Sequence, residues 1–473
     1  MRTLRLEDVL KATGGKALSA FETLFNGIGT DTRSAMTGQL FVALTGESFD
    51  AHNFVEKAAQ SGATGVLVHR DSIEVQKLKE KITVILVKDT LQALQDLGRW
   101  ARRNSKATIV GITGSNGKTT TKEFTAAILK SFKSVHYSEG SFNNHWGVPF
   151  TLLQLDPQQD IAVVEMGMNH AGEITELVKI AEPDVVCCTM VGRAHIEHFG
   201  TLEKVAEAKE EIYLAAAPSA TRIYNLDNVQ TRRMYDHATK DFPAAKLITF
   251  STVDSKADIF LKIESLGLQN LKISGKIRGI AGMVDVPVFG SQNLTNLMAA
   301  AAIGIAGGLS PQQVWEGLSH CKTIWGRNQL LELKSGAQMI FDGYNANPDS
   351  MKALLENFKI LKTGGRKVGV FGEMLEMGNL AESLHEELGE LVGKTGFDHV
   401  YFIGANADAF EKGLKKSGFK NAATVSTEFK DEMARDLALV LQNGDMAMVK
   451  GSRGMKLERF VMPCEPLNFS LKK

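Results

Sequence analysis

The stretch IVGITGSNGKTTTKEF, residues Ile109–Phe124, decides how the rest of the chain is read. It looks like a phosphate-binding loop, yet the common form G-x-x-x-x-G-K-[ST] would need a glycine at Ile112. The glycines fall instead at Gly111, Gly114 and Gly117. An apolar strand pattern runs into the loop and a helical pattern leaves it. Gly114 and Gly117 can adopt backbone conformations closed to other residues, so that consecutive N–H groups point at one anion. The helix that follows adds the positive end of its dipole. Lys118 can reach a terminal phosphate, and the Thr119 hydroxyl suits magnesium.

On either side of this loop, strand and helix signals alternate: ATIVGITG, TTTKEFTAAILKSF, DIAVVEMG, ITELVKIAE, DVVCCTMV and LEKVAEAKEEIYLAAA. Such alternation predicts a mostly parallel sheet with helices on both faces. From Asp258 to Gly290 short alternating segments with frequent glycine predict a small antiparallel appendage, closed by an alanine-rich helix starting near Asn296. Before the loop, QLFVALTG, TGVLVHR and KITVILVKD read as strands of a first α/β unit, residues 1–104. After the central unit, 105–322, a third α/β unit of Rossmann-like type covers 323–473, with strands in AQMIFDGYNANP, KVGVFGEM, HVYFIGANAD and DMAMVKGSRG.

A chain of 473 residues is long enough for about three such domains at ~100–200 residues each. Its 44% hydrophobic and 23% charged residues are ordinary for a globular protein. Lys+Arg and Asp+Glu are both 54, so no excess basicity calls for a nucleic acid partner. The four cysteines lack C-x-x-C spacing, which fits a reducing compartment without structural zinc. The start MRTLRLEDVLKATGG has no apolar segment of signal-peptide type, and the longest apolar run, LMAAAAIGIAGG, is too short to span a bilayer. The expectation is a cytoplasmic monomer with no membrane insertion, its apolar run forming a helix packed tightly on a neighbour.

Carboxylates and imidazoles follow the next strands. Glu165 ends AVVEMG, and GRAHIEHFG brings His195, Glu197 and His198. In open α/β sheets ligands bind beyond the carboxyl ends of the strands, where these residues fall. Together, GITGSNGKTTT, NNHWGVP, EMGMNHAGEI, AHIEHFG and GSQNLTNLMAA resemble the Mur ligases, ATP-dependent amide-forming enzymes of peptidoglycan precursor synthesis. Their loop T-G-[ST]-N-G-K-T-T is matched throughout by Thr113, Gly114, Ser115, Asn116, Gly117, Lys118, Thr119 and Thr120.

The resemblance implies roles residue by residue. Lys118 would bind the β- and γ-phosphates of ATP, Thr119 and Glu165 one Mg2+ ion, and His195 a second. Lys209 matches a lysine carbamylated by carbon dioxide; its own sequence reads only as a lysine on a Glu-rich helix. Asn293 and Asn296 match the adenine side of ATP, with Gln292 where the family usually has histidine. Arg327 matches a hinge arginine near the γ-phosphate, and Asp342 an acid near the ribose. A hinge is expected at 321–327.

DGYNANPDSMKALL, Asp342–Leu355, resembles the branch of the family that joins D-alanyl-D-alanine to a UDP-N-acetylmuramoyl-tripeptide, as do FGEMLEMG with His385 and VKGSRGMKLE. The branch that adds a single third residue carries D-Y-A-H-x-P and D-N-P-R instead. In the first unit, GIGTDTRSAMTGQLFVALTGESFDAHNF resembles a UDP-sugar-binding domain, with Thr30, Asp31, Thr32, Arg33, Gly46, Glu47 and Phe49 at the substrate. Asn143, Asn144, Tyr344, Asn345 and Asn347 complete the expected substrate contacts. The implied reaction phosphorylates the tripeptide carboxylate with ATP and lets the dipeptide amine displace phosphate. The alternatives are a ligase adding a single amino acid and an ATP-hydrolysing switch or scaffold.

Overall fold

The computed structural model describes residues 2–46, 49–194, 196–241 and 244–471. Its three large sheets follow one another along the chain. The first runs Lys16–Ser19, Thr83–Leu86, Gly65–Val68, Leu40–Val42, Ile28–Gly29; only its outermost pair, Lys16–Ser19 with Thr83–Leu86, is antiparallel. Helix Thr90–Arg103 leads from it to the centre, started by the Asp89 carboxylate, which accepts the Gln92 N–H.

The central sheet has nine strands: Ile280–Val286, Leu271–Ile277, Ile259–Leu266, Leu247–Ser251, Thr221–Asn225, Val185–Cys188, Thr108–Thr113, Ile161–Glu165, Val135–Tyr137. Thr108–Thr113 lies between two later strands, so the chain turns to opposite sides of it and leaves a crevice at its carboxyl end. The two-residue period of this strand sends Val110 and Ile112 into one core and Ile109 into the other. Register pairs Glu165 with Ile112 and Cys188 with Thr113, which brings three strand ends level.

The glycine-rich segment expected as an antiparallel appendage is antiparallel, but it continues the central sheet. Ile259–Leu266 pairs in parallel with Leu247–Ser251 before the two hairpins begin. Thr221–Asn225 and Leu247–Ser251, which carry the sheet that far, were too short and mixed in character to single out from TRIYN and LITFS.

The alanine-rich run forms helix Asn293–Ala306, buried on every side from Leu297 to Gly304. Small residues are needed there because three helices crowd together. A Cβ on Gly317 would lie 2.9 Å from the Ile128 backbone, and one on Gly304 would lie 3.2 Å from Val314. The last sheet runs Gln329–Glu332, Gln338–Asp342, Met446–Lys450, Lys367–Gly372, His399–Ile403, Ala422–Ser426, parallel except for its first pair.

His385 holds the loop after Lys367–Gly372. Its Nε2 accepts the Met374 N–H at 2.9 Å, which fixes the proton on Nδ1, and Nδ1 donates to Ala381 O at 2.6 Å. Burial pushes His385, His136 and His52 below the usual histidine value of 6.5. Because the folded values are depressed, the stability these rings contribute is complete above pH 6.5 and declines as pH falls through the folded values. Urea denaturation is therefore expected to show a lower midpoint at pH 5.5 than at pH 7.5. Ala300→Leu, which overfills the helix contact, is expected to cost about 1–3 kcal/mol in the same measurement.

Candidate functional site

A cavity of about 560 Å³ opens at the carboxyl end of Thr108–Thr113, within the range of small-molecule sites. Its floor is the phosphate loop. Gly114 (φ +145°) and Gly117 (φ +84°) take conformations that side chains avoid. Their packing is as restrictive as their dihedrals: a Cβ on Gly114 would lie 1.9 Å from Thr189 Oγ1, and one on Gly117 2.2 Å from Asn296 Oδ1. Ser115, Asn116, Lys118, Thr119 and Thr120 line the cavity with Gly117. The Thr113 hydroxyl is buried beneath the loop with no hydrogen-bond partner. The Lys118 ammonium donates to Gly114 O at 2.8 Å, and burial lowers its proton affinity.

Thr119 Oγ1 is the junction of the site. It donates to Glu165 Oε2 at 2.8 Å and accepts from Arg327 Nη2 at 3.0 Å. Glu165 is buried, and its Oε1 accepts from Asn143 Nδ2 at 2.9 Å. The Arg327 guanidinium lies 4.4 Å from the Tyr344 ring centroid, and the Tyr344 hydroxyl is 2.6 Å from Ser141 Oγ. The donors are hard oxygens of hydroxyl and carboxylate, a set that fits Mg2+. Among the described residues no group of three or more His, Cys, Asp or Glu is placed to hold a metal. His195 and Glu47 lie outside the described residues.

Lys209 sits behind the loop, buried, on helix Leu202–Leu214. Burial first, and then the Lys118 charge, bring its amine down to about 7. Asn293 and Asn296 face the cavity from the start of their helix, with Asn296 Nδ2 donating to Asn293 Oδ1 at 3.2 Å. Gln292 Oε1 is engaged by Asn357 Nδ2 at 2.7 Å. Asp342 is paired with the buried Lys450, which also donates to Asn345 O at 3.1 Å.

Other predicted residues do not line this cavity. Asn144 turns to the start of helix Gly147–Gln154, its Oδ1 accepting the Gly147 N–H at 2.9 Å. Asn347 is buried at the N-cap of helix Pro348–Ile360, where it exchanges two hydrogen bonds with the Asn116 amide, at 2.8 and 3.2 Å. Thr30, Asp31, Thr32 and Arg33 follow the edge strand Ile28–Gly29 of the first sheet, where Arg33 forks onto the Asp31 carboxylate and holds it at about 2. Gly46 and Phe49 lie beyond strand Leu40–Val42 of the same sheet, Gly46 N donating to Phe49 O.

Sequence reasoning missed Ser141, Lys122, Asp349 and Lys450. Lys122 is fully buried and donates to Ser138 O and Gly140 O at 2.6 and 2.7 Å, tying the phosphate-loop helix to the segment that carries Ser141 and Asn143. Lys450 stood in VKGSRG, where a strand end facing the crevice could have marked it.

Comparison with known proteins gives the family. Three family models match in succession: the Mur ligase family catalytic domain at 24–101, the Mur ligase middle domain at 112–304, and the Mur ligase glutamate ligase domain at 326–453. The UDP-N-acetylmuramoyl-tripeptide–D-alanyl-D-alanine ligase of Bacillus subtilis is 37% identical over 93% of both chains. The chain belongs to the Mur ligase family. Among solved Mur ligases, MurF from Acinetobacter baumannii superposes with a TM-score of 0.86 at 29% identity, covering 98% of each chain. MurF from Thermotoga maritima in complex with ADP gives 0.77 at 28% identity, over 92% of this chain and 96% of that one. As a Mur ligase the protein is ATP-dependent.

Gly117→Ala places a methyl group against Asn296 and forces a left-handed backbone on a side chain, a strain of about 1–3 kcal/mol. ADP affinity measured by calorimetry is expected to fall by about tenfold or more.

Proposed function

We propose that this Mur ligase joins D-alanyl-D-alanine to a UDP-N-acetylmuramoyl-tripeptide, with ATP cleaved to ADP and phosphate. The observation that carries the reading is the meeting of three chain regions at Thr119: phosphate loop, Glu165 and the Arg327–Tyr344 pair of the last sheet. The substrates follow from relatives that match over nine-tenths of their length and are ligases of that tripeptide and dipeptide. The units 1–104, 105–322 and 323–473 would bind the UDP-sugar, the ATP and the dipeptide in turn, hinged at 321–327. The protein would act as a cytoplasmic monomer; among the described residues no helix is long and apolar enough to cross a membrane.

A carboxylate at neutral pH is a poor electrophile. Its oxygen attacks the γ-phosphorus, the bond to ADP breaks, and an acyl phosphate forms. The dipeptide amine then adds to the acyl carbon, loses a proton, and the C–O bond to phosphate breaks. Lys118 and Arg327 lie where they offset negative charge that would otherwise repel the carboxylate. Thr119 and Glu165 would hold a magnesium ion, which supplies further neutralisation of the phosphates when bound. Asn293 and Asn296 would take the adenine side and Asp342 the ribose. Closure of the last sheet would exclude water from the acyl phosphate.

Lys209 supports a carbamate reading. An amine near neutrality is substantially unprotonated at pH 7, the form that adds to carbon dioxide. The product, a carboxylate-like group, would complete a second magnesium site with His195.

The test measures ADP release from ATP with the UDP-muramoyl-tripeptide, adding D-alanyl-D-alanine or single amino acids in turn. Release that needs the dipeptide supports the proposal. Release triggered by one amino acid makes the protein a ligase of another branch, and release without any acceptor makes it a hydrolase. Lys118→Ala is expected to abolish product while leaving the fold intact. Lys209→Arg, which stays protonated and cannot form a carbamate, is expected to lower kcat by about a hundredfold.

A further inference from the structure

The segment Thr189–Arg193 leaves the strand next to the phosphate loop and is pinned at almost every backbone group. Thr189 Oγ1 donates to Asn116 O at 2.5 Å, and Ser115 N–H donates to Met190 O at 2.9 Å. Ser115 Oγ donates to Gly192 O at 2.9 Å, while Asn228 holds both the N–H and the C=O of Val191. All of these partners belong to the central sheet region. The next amide does not follow the pattern. Arg193 N–H donates to Asp349 Oδ2 at 2.7 Å, and Asp349 stands in the first turn of helix Pro348–Ile360 in the last sheet's region. The contact is close enough to dictate its neighbour: a Cβ on Gly192 would lie 2.4 Å from the same carboxylate oxygen. The Arg193 side chain adds little, lying 3.7 Å from Asp349 and 3.8 Å from Glu387 at the surface.

We infer that Asp349 is a positioning residue: by accepting the Arg193 amide it ties the seating of the last sheet to the segment that braces Ser115 and Asn116 of the phosphate loop. The inference rests on the ligase reading above. The acceptor oxygen matters and the charge does not, because the bond goes to a backbone amide. When the last sheet is displaced, Arg193 N–H loses its partner and the brace on the loop slackens. The phosphate loop is thus held in working geometry only with helix Pro348–Ile360 in place.

Asp349→Ala removes the acceptor, and Asp349→Asn keeps one. Asp349→Ala is expected to lower kcat for dipeptide-dependent ADP release about tenfold with KM for ATP within about twofold, whereas Asp349→Asn stays near wild type. Hydrogen exchange of the peptide 190–194 is expected to quicken in Asp349→Ala and not in Asp349→Asn, a readout independent of turnover. Gly192→Ala pushes the carboxylate away and is expected to reproduce Asp349→Ala; in the double variant the two effects should not add. Wild-type kcat in Asp349→Ala, equal loss in Asp349→Asn, or additive effects in the double variant each overturn the inference. Unchanged exchange at 190–194 in Asp349→Ala overturns it even for a variant of altered stability. A wild-type protein with no dipeptide-dependent release would overturn the function instead, and the exchange comparison would still decide the bond.

Discussion

The structure depends on how closely the phosphate loop is enclosed. At Gly114 and Gly117 the backbone turns into conformations reserved for glycine, and at both points a neighbouring side chain fills the space a methyl group would need. Thr189 comes from the adjacent strand, and Asn296 from the alanine-rich helix. That helix can approach only because its inward residues are small, and the strand can approach only because the sheet order puts Val185–Cys188 beside Thr108–Thr113. The tight fit of one loop therefore sets the spacing of two helices and the order of the central strands.

Electrostatics around the loop follow from the same enclosure. Burial lowers the proton affinity of both Lys118 and Lys209; the Lys118 charge adds to it at Lys209, while at Lys118 the Glu165 carboxylate opposes it. Lys122 faces away from them, onto two backbone carbonyls and 3.3 Å from the Glu123 carboxylate. One helix thus carries two lysines with opposite duties. Lys118 lines the cavity, and Lys122 is committed to holding the segment that positions Asn143 against Glu165.

Much of this was legible in the sequence because it is local. The loop, the strand before it and the helix after it lie within one short stretch, and Glu165 ends a strand whose apolar pattern is plain. The α/β character of all three units showed in the alternation of strand and helix. What the sequence hid is pairing at a distance. That Ile259–Leu266 would extend the central sheet depends on the short parallel contact with Leu247–Ser251. Nor could a sequence show that Asn347 faces Asn116, that Ser141 meets Tyr344, or that Lys450 pairs with Asp342. These residues are ordinary in their own segments; the first two pairs acquire meaning only when two sheets meet, and the third only when two distant strands of the last sheet pair in register. Asn144 shows the converse: it stands in a motif, and its side chain accepts the first N–H of a helix.

The reciprocal amide contact of Asn116 and Asn347 closes a separation of 231 residues. In a free chain, bringing two points that far apart together costs about 5 kcal/mol of configurational entropy. Two neutral hydrogen bonds return about 1–3 kcal/mol. The contact is too weak to have assembled the molecule, so it forms only after the sheets on either side are built and have shortened the distance. By the same arithmetic it can be undone at small cost without loosening either sheet. A junction of that strength suits the closure proposed for the last sheet.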